Sequence, residues 1–446
     1  MSTDATPLWG EQTALAVQNF PISGRPLDLA IVRALAAVKR HAAAVNAALA
    51  VPGVDADMAA AIADACQAVE AGTHDASFPV DTYQTGSGTS TNMNVNEVVA
   101  ALAGRALGRP VHPNDHVNAS QSSNDTVPAA IRIAVAATMQ HELLPALDAL
   151  IEGFEAAADR FATVVKAGRT HLMDAAPVTL GQEVAAWAYE LALARERVHA
   201  ELPRLGELPL GGTATGTGLN APPTFAAHVA SRLAAETGLP LRAAPSTPRR
   251  MAHMGGQGTL ADASSALRAV AIALTKIAND IRLLASGPLT GLGELHVPAL
   301  QAGSSIMPGK VNPVLCETAN QVAARVFGND ATVTFASSQG ILELNTYLPV
   351  MGDALLESTR LLTATCAVLA TKLVAGLTAD VDRCRRNAER TPALATVLGP
   401  LIGYEAASAV VKEALATDRT VHEVAVDRGH GTDADLAAAL DPARMT

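Results

Sequence analysis

The residues best equipped for chemistry lie in one run, Gln301-Ala302-Gly303-Ser304-Ser305-Ile306-Met307-Pro308-Gly309-Lys310-Val311-Asn312-Pro313. Adjacent hydroxyls, a lysine and an asparagine share a stretch that its glycines and prolines keep out of regular structure. Serine offers a nucleophile or base, lysine a cation, and asparagine a neutral hydrogen-bonding group. Together they suit a mobile loop closing over a small anion. A nucleotide phosphate loop is excluded. That loop needs four residues before its Gly-Lys pair and Ser or Thr after it. Here five residues separate Gly303 from Gly309, and Val311 follows Lys310. An ordinary helix-entry loop stays open on this stretch alone, so the rest of the chain must decide.

Three further polar tracts stand out from an alanine-rich background. The first, Thr85 to Asn94, holds Gly86, Ser87, Gly88 and Thr89. It is no dinucleotide fingerprint, because Thr91 stands where the third glycine belongs and no βαβ unit surrounds it. Its hydroxyls and amides suit a carboxylate. The second runs from His112-Pro113-Asn114-Asp115-His116 to Ser120-Gln121-Ser122-Ser123-Asn124-Asp125. His112, Asp115 and His116 lack the fourth ligand and firm frame of a metal site, so Ser122 and Asn124 are read as ligands for a polar substrate. The third, Gly168 to Asp174, sets His171 between the hydroxyl of Thr170 and the acid of Asp174, at an expected helix end where its protonation could be tuned. Glu317, just beyond the opening loop, is a candidate partner for a histidine.

The elements that must position these tracts are helical. The chain has 446 residues, 49% apolar but only 3% aromatic, with alanine making up much of the difference. Alanine favours helices and lets them approach closely, so an all-α fold is expected. The net charge of −11, without a basic run, argues against nucleic acid or an anionic membrane as partner. Cys66, Cys316, Cys366 and Cys384 are scattered and read as reduced thiols. Met1-Ser2-Thr3-Asp4-Ala5 shows no leader pattern. Candidate apolar spans are cut by Lys372, or by Pro400 and Gly403. A cytoplasmic protein is expected.

Residues 1–24 read as turns. Helices are expected near 27–50, 56–71, 94–107, 128–165, 180–202, 257–285, 314–333 and 352–374, with Pro128 in a first turn, Asn124 or Asp125 as its cap, and a kink at Pro145. A helix over 128–165 would be roughly 55 Å long. It would hold Ser122-Ser123-Asn124 and Thr170-His171 at opposite ends. If both tracts serve one site, different chains must supply them, which predicts an obligate oligomer of long antiparallel helices.

In this order, the four tracts resemble the fumarase/aspartase superfamily, most closely its class II fumarase branch. Gly303, Ser304, Ser305, Pro308, Lys310 and Asn312 match the signature G-S-S-x-x-P-x-K-x-N. Trp9-Gly10-Glu11-Gln12-Thr13, Glu343-Leu344-Asn345-Thr346-Tyr347 and Ile402-Gly403-Tyr404-Glu405 extend the likeness over nearly the whole chain. The resemblance implies three domains: residues 1–119, residues 120–379 as a central long-helix bundle forming a tetrameric core, and residues 380–446. It also implies reversible anti addition of water to fumarate, giving L-malate, without metal or organic cofactor.

Ser304 becomes the implied base on a mobile loop, with an aci-carboxylate intermediate. Lys310 and Asn312 stabilise its charge, and His171 paired with Glu317 is the partner acid or orients water. Substrate contacts are implied for Ser87, Gly88, Thr89, Ser122, Ser123, Asn124, Thr170, Ser305 and Val311. Arg109, His112, Pro113, Asn114 and Asp115 match a second carboxylate site. Ser87 and Ser123 favour fumarase over aspartate ammonia-lyase, which shares the loop. A lyase acting on a larger succinyl adduct is a further reading. So is a structural protein without turnover, which the complete set of Ser304, Lys310, Asn312 and His171 disfavours. One stretch departs from the family: Pro245 to Gly258 replaces the usual Phe-Glu-Ala helix entry and is a few residues longer.

Overall fold

The computed structural model describes residues 7–446, so the Met1–Ala5 start lies outside the described residues. The chain divides into two compact units. The first comprises Met1–Pro145, Ala194–Ala271 and Val322–Thr363; the second comprises Ala146–Leu193, Ile272–Gln321 and Ala364–Thr446. Helices dominate both, and the described strands are short, so the all-α expectation holds.

In the first unit, helices Leu29–Ala48 and Ala56–Glu70 pack on one another, and Leu35, Val38, Ala42, Ile62, Ala65 and Val69 on them are all buried. Asp28 and Asp55 cap them by accepting from the amides of Ala30 and Met58, both at 2.8 Å. The expected turns at the N-terminus contain a helix, Glu11–Asn19. Its organiser is distant in sequence: the Glu97 carboxylate accepts from the amides of Gly10, Gln12 and Thr13 and from the Thr13 hydroxyl. A carboxylate at a helix N-terminus satisfies its free donors and opposes its dipole.

Helix Ser123–Thr138 starts before Pro128, at a Ser122 cap completed by Asp125. Pro128 therefore lies inside the helix. The expected kink is a π turn, Met139–Leu143, ahead of helix Leu144–Arg160. Pro145 has no N–H for the carbonyl four residues back, and a wider turn accommodates that loss.

The helical stretch Leu348–Gly376 is long and apolar enough, by length and composition alone, to cross a membrane. Within the first unit, however, its Asp353, Glu357 and Arg360 pair with Arg25, Arg325 and Asp28. In the second unit, Phe154 meets Trp187 edge to face at 5.9 Å, and the indole N–H donates to Asp280 at 3.0 Å. The last helices close over a small core of Leu398, Val410, Val424 and Leu436. All four cysteines are free and buried, and burial pushes each thiol up to about 12.

The atypical segment forms helix Thr247–Met251 and a π turn, Ala252–Gly256. Arg249 forks onto Glu207 at 2.6 and 2.7 Å, joined by Arg242 and His253, both at 3.0 Å. Burial would raise the Glu207 pKa, but Arg249, His253 and Arg242 outweigh it and hold the carboxyl at about 2. The π turn also meets the 336–345 stretch backbone to backbone. A Cβ on Gly340 would lie 1.7 Å from the Gly255 carbonyl oxygen, and the Asn345 amide donates to Met254 O at 3.0 Å.

Candidate active site

The Ser87 and Ser122 tracts both belong to the first unit. The helix expected from 94 begins five residues earlier, so Thr89 to Met93 form the opening turns of helix Thr89–Leu107, whose N-cap is Gly88 at φ +74°. Ser87 and Thr89 share a hydroxyl–hydroxyl hydrogen bond of 2.8 Å. Gly86 admits no side chain, since a Cβ there would lie 1.7 Å from the Thr346 carbonyl oxygen.

At the start of helix Ser123–Thr138, the Asn124 side chain donates to Ala214 O at 2.9 Å, and the Thr213 amide donates to Asp125 Oδ2 at 2.9 Å. These bonds dock the glycine-rich 210–223 loop. Burial pushes the Asp125 carboxyl up to about 7, against the backbone donors of Ser122, Thr213 and Gly211. Between helix start and loop lies a cavity of about 380 Å³, lined by Asn92, Asn118, Gln121, Ser122, Ser123 and Asn220 among others.

The second-site residues fall between two hollows. Asn114 lines this same cavity. Arg109 is forked onto Asp55 at 2.9 and 2.7 Å, and with Pro113 it lines a separate hollow beside Trp9. His112 accepts the Asp115 amide at Nδ1, 3.1 Å away, within the turn Pro113–Val117.

The second unit holds the other two tracts. The expected helix end at His171 is instead a β-hairpin, with Val165–Thr170 antiparallel to Met173–Thr179. Its tip is His171-Leu172, at φ +56° and +63°. Left-handed backbone at both positions is what a tight two-residue hairpin turn demands, and non-glycine residues adopt it at a cost. Thr170 and His171 are exposed.

The hairpin's base is anchored by groups that sequence reasoning missed. Arg169 pairs with Glu294 at 2.9 and 2.7 Å; Asn387 donates to Glu294 at 2.8 Å. Buried Lys166 lies 3.4 Å from Glu294 and 3.0 Å from Glu183. Burial alone would raise the Glu294 pKa, but Arg169 and Lys166 hold it below the usual carboxyl value.

The Gly303–Pro313 loop closes on itself. The Gly303 amide donates to Lys310 O at 3.1 Å, and the Asn312 side chain donates to Gly303 O at 2.8 Å. Ser304 is half-buried, and its Oγ accepts from the amides of Ile306 at 3.2 Å and Met307 at 3.1 Å. Two donors on one hydroxyl oxygen favour its ionised form. Ser305, Lys310 and Val311 are exposed on this loop. Glu317 is exposed on helix Val314–Ser337, and among the described residues no hydrogen bond joins it to His171.

A lyase family model matches residues 1–328, and a fumarase C C-terminus model matches residues 394–446. A class II fumarate hydratase of Corynebacterium efficiens is 51% identical over 95% of this chain and 89% of its own length. One from Mycobacterium tuberculosis is also 51% identical, with the same coverage. A crystal structure of class II fumarase from Schistosoma mansoni superposes with a TM-score of 0.95 at 35% identity, covering 100% of this chain and 96% of that one. A cobalt-bound fumarate lyase:delta crystallin from Brucella melitensis superposes at 0.94 with 44% identity and the same coverage.

Proposed function

The chain belongs to the fumarase/aspartase superfamily, in its class II fumarase branch, and on that premise we propose how its residues act. The reaction is the reversible addition of water to fumarate, giving L-malate.

Starting from malate, a weakly acidic C–H proton must leave from beside a carboxylate. Charge builds on that carboxylate as an aci-carboxylate, and the site must meet it with cations and donors. Ser304 takes the proton. The observation that carries this role is its Oγ, already held by the Ile306 and Met307 amides. A serine hydroxyl is far too weak a base unless its alkoxide is stabilised in this way. Closure of the loop over the dianion adds Lys310 and excludes water. Asn312 braces the loop through Gly303 and offers its second amide hydrogen to the substrate.

His171 orients or protonates the departing water. Glu317 is its partner, and the Ser87–Asn124 half of the site comes from another copy of the chain. A homotetramer built on residues 120–379 provides this sharing. Ser87, Gly88, Thr89, Ser122, Ser123, Asn124, Thr170, Ser305 and Val311 surround the carboxylates. Unpaired, buried thiols suit a reducing cytoplasm.

A lyase of a larger succinyl adduct would recruit Arg249 and Arg250. Both are occupied, Arg249 by Glu207 and Arg250 by Gly216 O at 2.9 Å. The test is to offer L-malate, L-aspartate and argininosuccinate separately and follow fumarate by absorbance. Fumarate from malate alone is expected; fumarate from aspartate but not malate would sink this reading.

A further inference from the structure

One buried cation in the first unit has no part in the chemistry above. Lys39 lies on helix Leu29–Ala48 with no exposed surface. Its Nζ donates to Asn118 Oδ1 at 3.2 Å and Gln121 Oε1 at 3.3 Å, and both of those side chains line the cavity beside Ser122 and Ser123. Asn118 Oδ1 also accepts from Asn92 Nδ2 at 3.2 Å, and the same Asn92 nitrogen donates to Ser123 Oγ at 3.1 Å.

The polarity of this chain of bonds follows from its first member. An ammonium only donates, so Asn118 and Gln121 must turn their oxygens to it. Their amide nitrogens then go to backbone carbonyls: Asn118 to Gln121 O at 3.3 Å, and Gln121 to Val117 O and Ala119 O, both at 3.1 Å. With Asn118 presenting an oxygen, Asn92 turns its nitrogen towards it. That leaves Asn92 Oδ1 buried without a partner, an arrangement no isolated asparagine would choose. Asn92 then donates to Ser123, whose own proton is left to point into the cavity.

We propose that Lys39 is a positioning residue for the hydration reaction, fixing the hydrogen-bond direction through Asn118 and Asn92 so that Ser123 presents a proton to a substrate carboxylate. The proposal rests on reading this cavity as part of the dicarboxylate site. It gives Ser123 a defined task, and it makes that task conditional on the lysine's charge. Burial pushes the Lys39 pKa down to about 7, opposed by Cys66 and Asp125, the titratable groups facing it from helices Ala56–Glu70 and Ser123–Thr138. As pH rises through that value Lys39 loses its charge, and its two bonds to Asn118 and Gln121 weaken from charge-assisted to ordinary ones, so the network is held less firmly in this direction.

The test compares wild type, Lys39→Met, Ser123→Ala and the double variant, reading KM for L-malate and a calorimetric Kd for fumarate from pH 6 to 8.5. At pH 6, Lys39→Met should weaken binding about 10-fold, the scale of one hydrogen bond to a charged group, with kcat changed less than about threefold. Adding Ser123→Ala should then cost little more, because both changes remove the same contact. Additive losses, or unchanged KM and Kd, overturn the proposal. Should Lys39→Met fail to fold, wild type and Ser123→Ala still decide. The ratio of their Kd values should fall from about 10 at pH 6 towards 1 at pH 8.5, and a ratio independent of pH overturns the role. Wild type that binds fumarate without turning malate over would defeat the functional reading instead, while the Kd ratio still judges Lys39.

Discussion

Arg169 holds Glu294 with two guanidinium nitrogens, at 2.9 and 2.7 Å, and the carboxylate they hold has no exposed surface. The hairpin carrying His171 therefore stands on a buried ion cluster as well as on its buried Val165 and Ala167. Glu294→Ala would leave Lys166 and Arg169 without their shared anion. We expect a loss of about 3–5 kcal/mol in denaturant unfolding, with kcat falling as the hairpin loosens. The pH sign follows from a folded pKa held below the ordinary glutamate value of 4.5. The cluster's contribution is complete above the unfolded value and fades as pH falls through the folded one, so wild type should lose stability below about pH 4.5. A Glu294→Ala variant as stable as wild type would contradict this anchoring.

Ser304→Ala removes the base but not the loop's backbone bond from Gly303 to Lys310. Turnover should fall by at least about 10²-fold, the lower range for acid–base groups, while Kd for fumarate stays within about threefold. A variant retaining most of its kcat would remove Ser304 from the mechanism.

His171→Asn is a clean probe of the imidazole, because asparagine tolerates the left-handed backbone at this tip better than most residues. It should cost less kcat than Ser304→Ala if the ring mainly orients water. An equal or larger loss would make His171 an obligatory proton carrier.

Gly86→Ala forces a methyl group against the Thr346 carbonyl, 1.7 Å away in the present geometry. Backbone must move, carrying Ser87 and Thr89 with it. We expect a lower Tm, by several degrees, and a KM raised by about 10-fold, on the scale of 1–3 kcal/mol for forced overpacking. Unchanged values would mean that the Gly86–Thr346 approach is easily relaxed.

Much of the fold and the candidate site is legible in the sequence because it is local. Loop residues Ser304, Lys310 and Asn312 lie within one turn-rich run, and the long helices announce themselves by alanine and periodicity. What the sequence hides depends on distant partners. The Glu11–Asn19 helix needs Glu97. The strands at His171 depend on Glu294, 125 residues beyond Arg169, and on Asn387, a further 93 residues along. In sequence Lys39 is an ordinary cation on a helix; its partners Asn118 and Gln121 lie 79 and 82 residues on. Arg249 looks available to a ligand because its partner, Glu207, is 42 residues earlier.

The atypical segment and the Ser87 tract share one rigid intermediary. Gly255 lies against Gly340, the Asn345 amide holds Met254, and Thr346 presses on Gly86. Every one of these approaches is main chain on main chain, so no rotamer can absorb a shift. A change in the length of residues 245–258 would therefore be transmitted through the 340s stretch and displace Ser87.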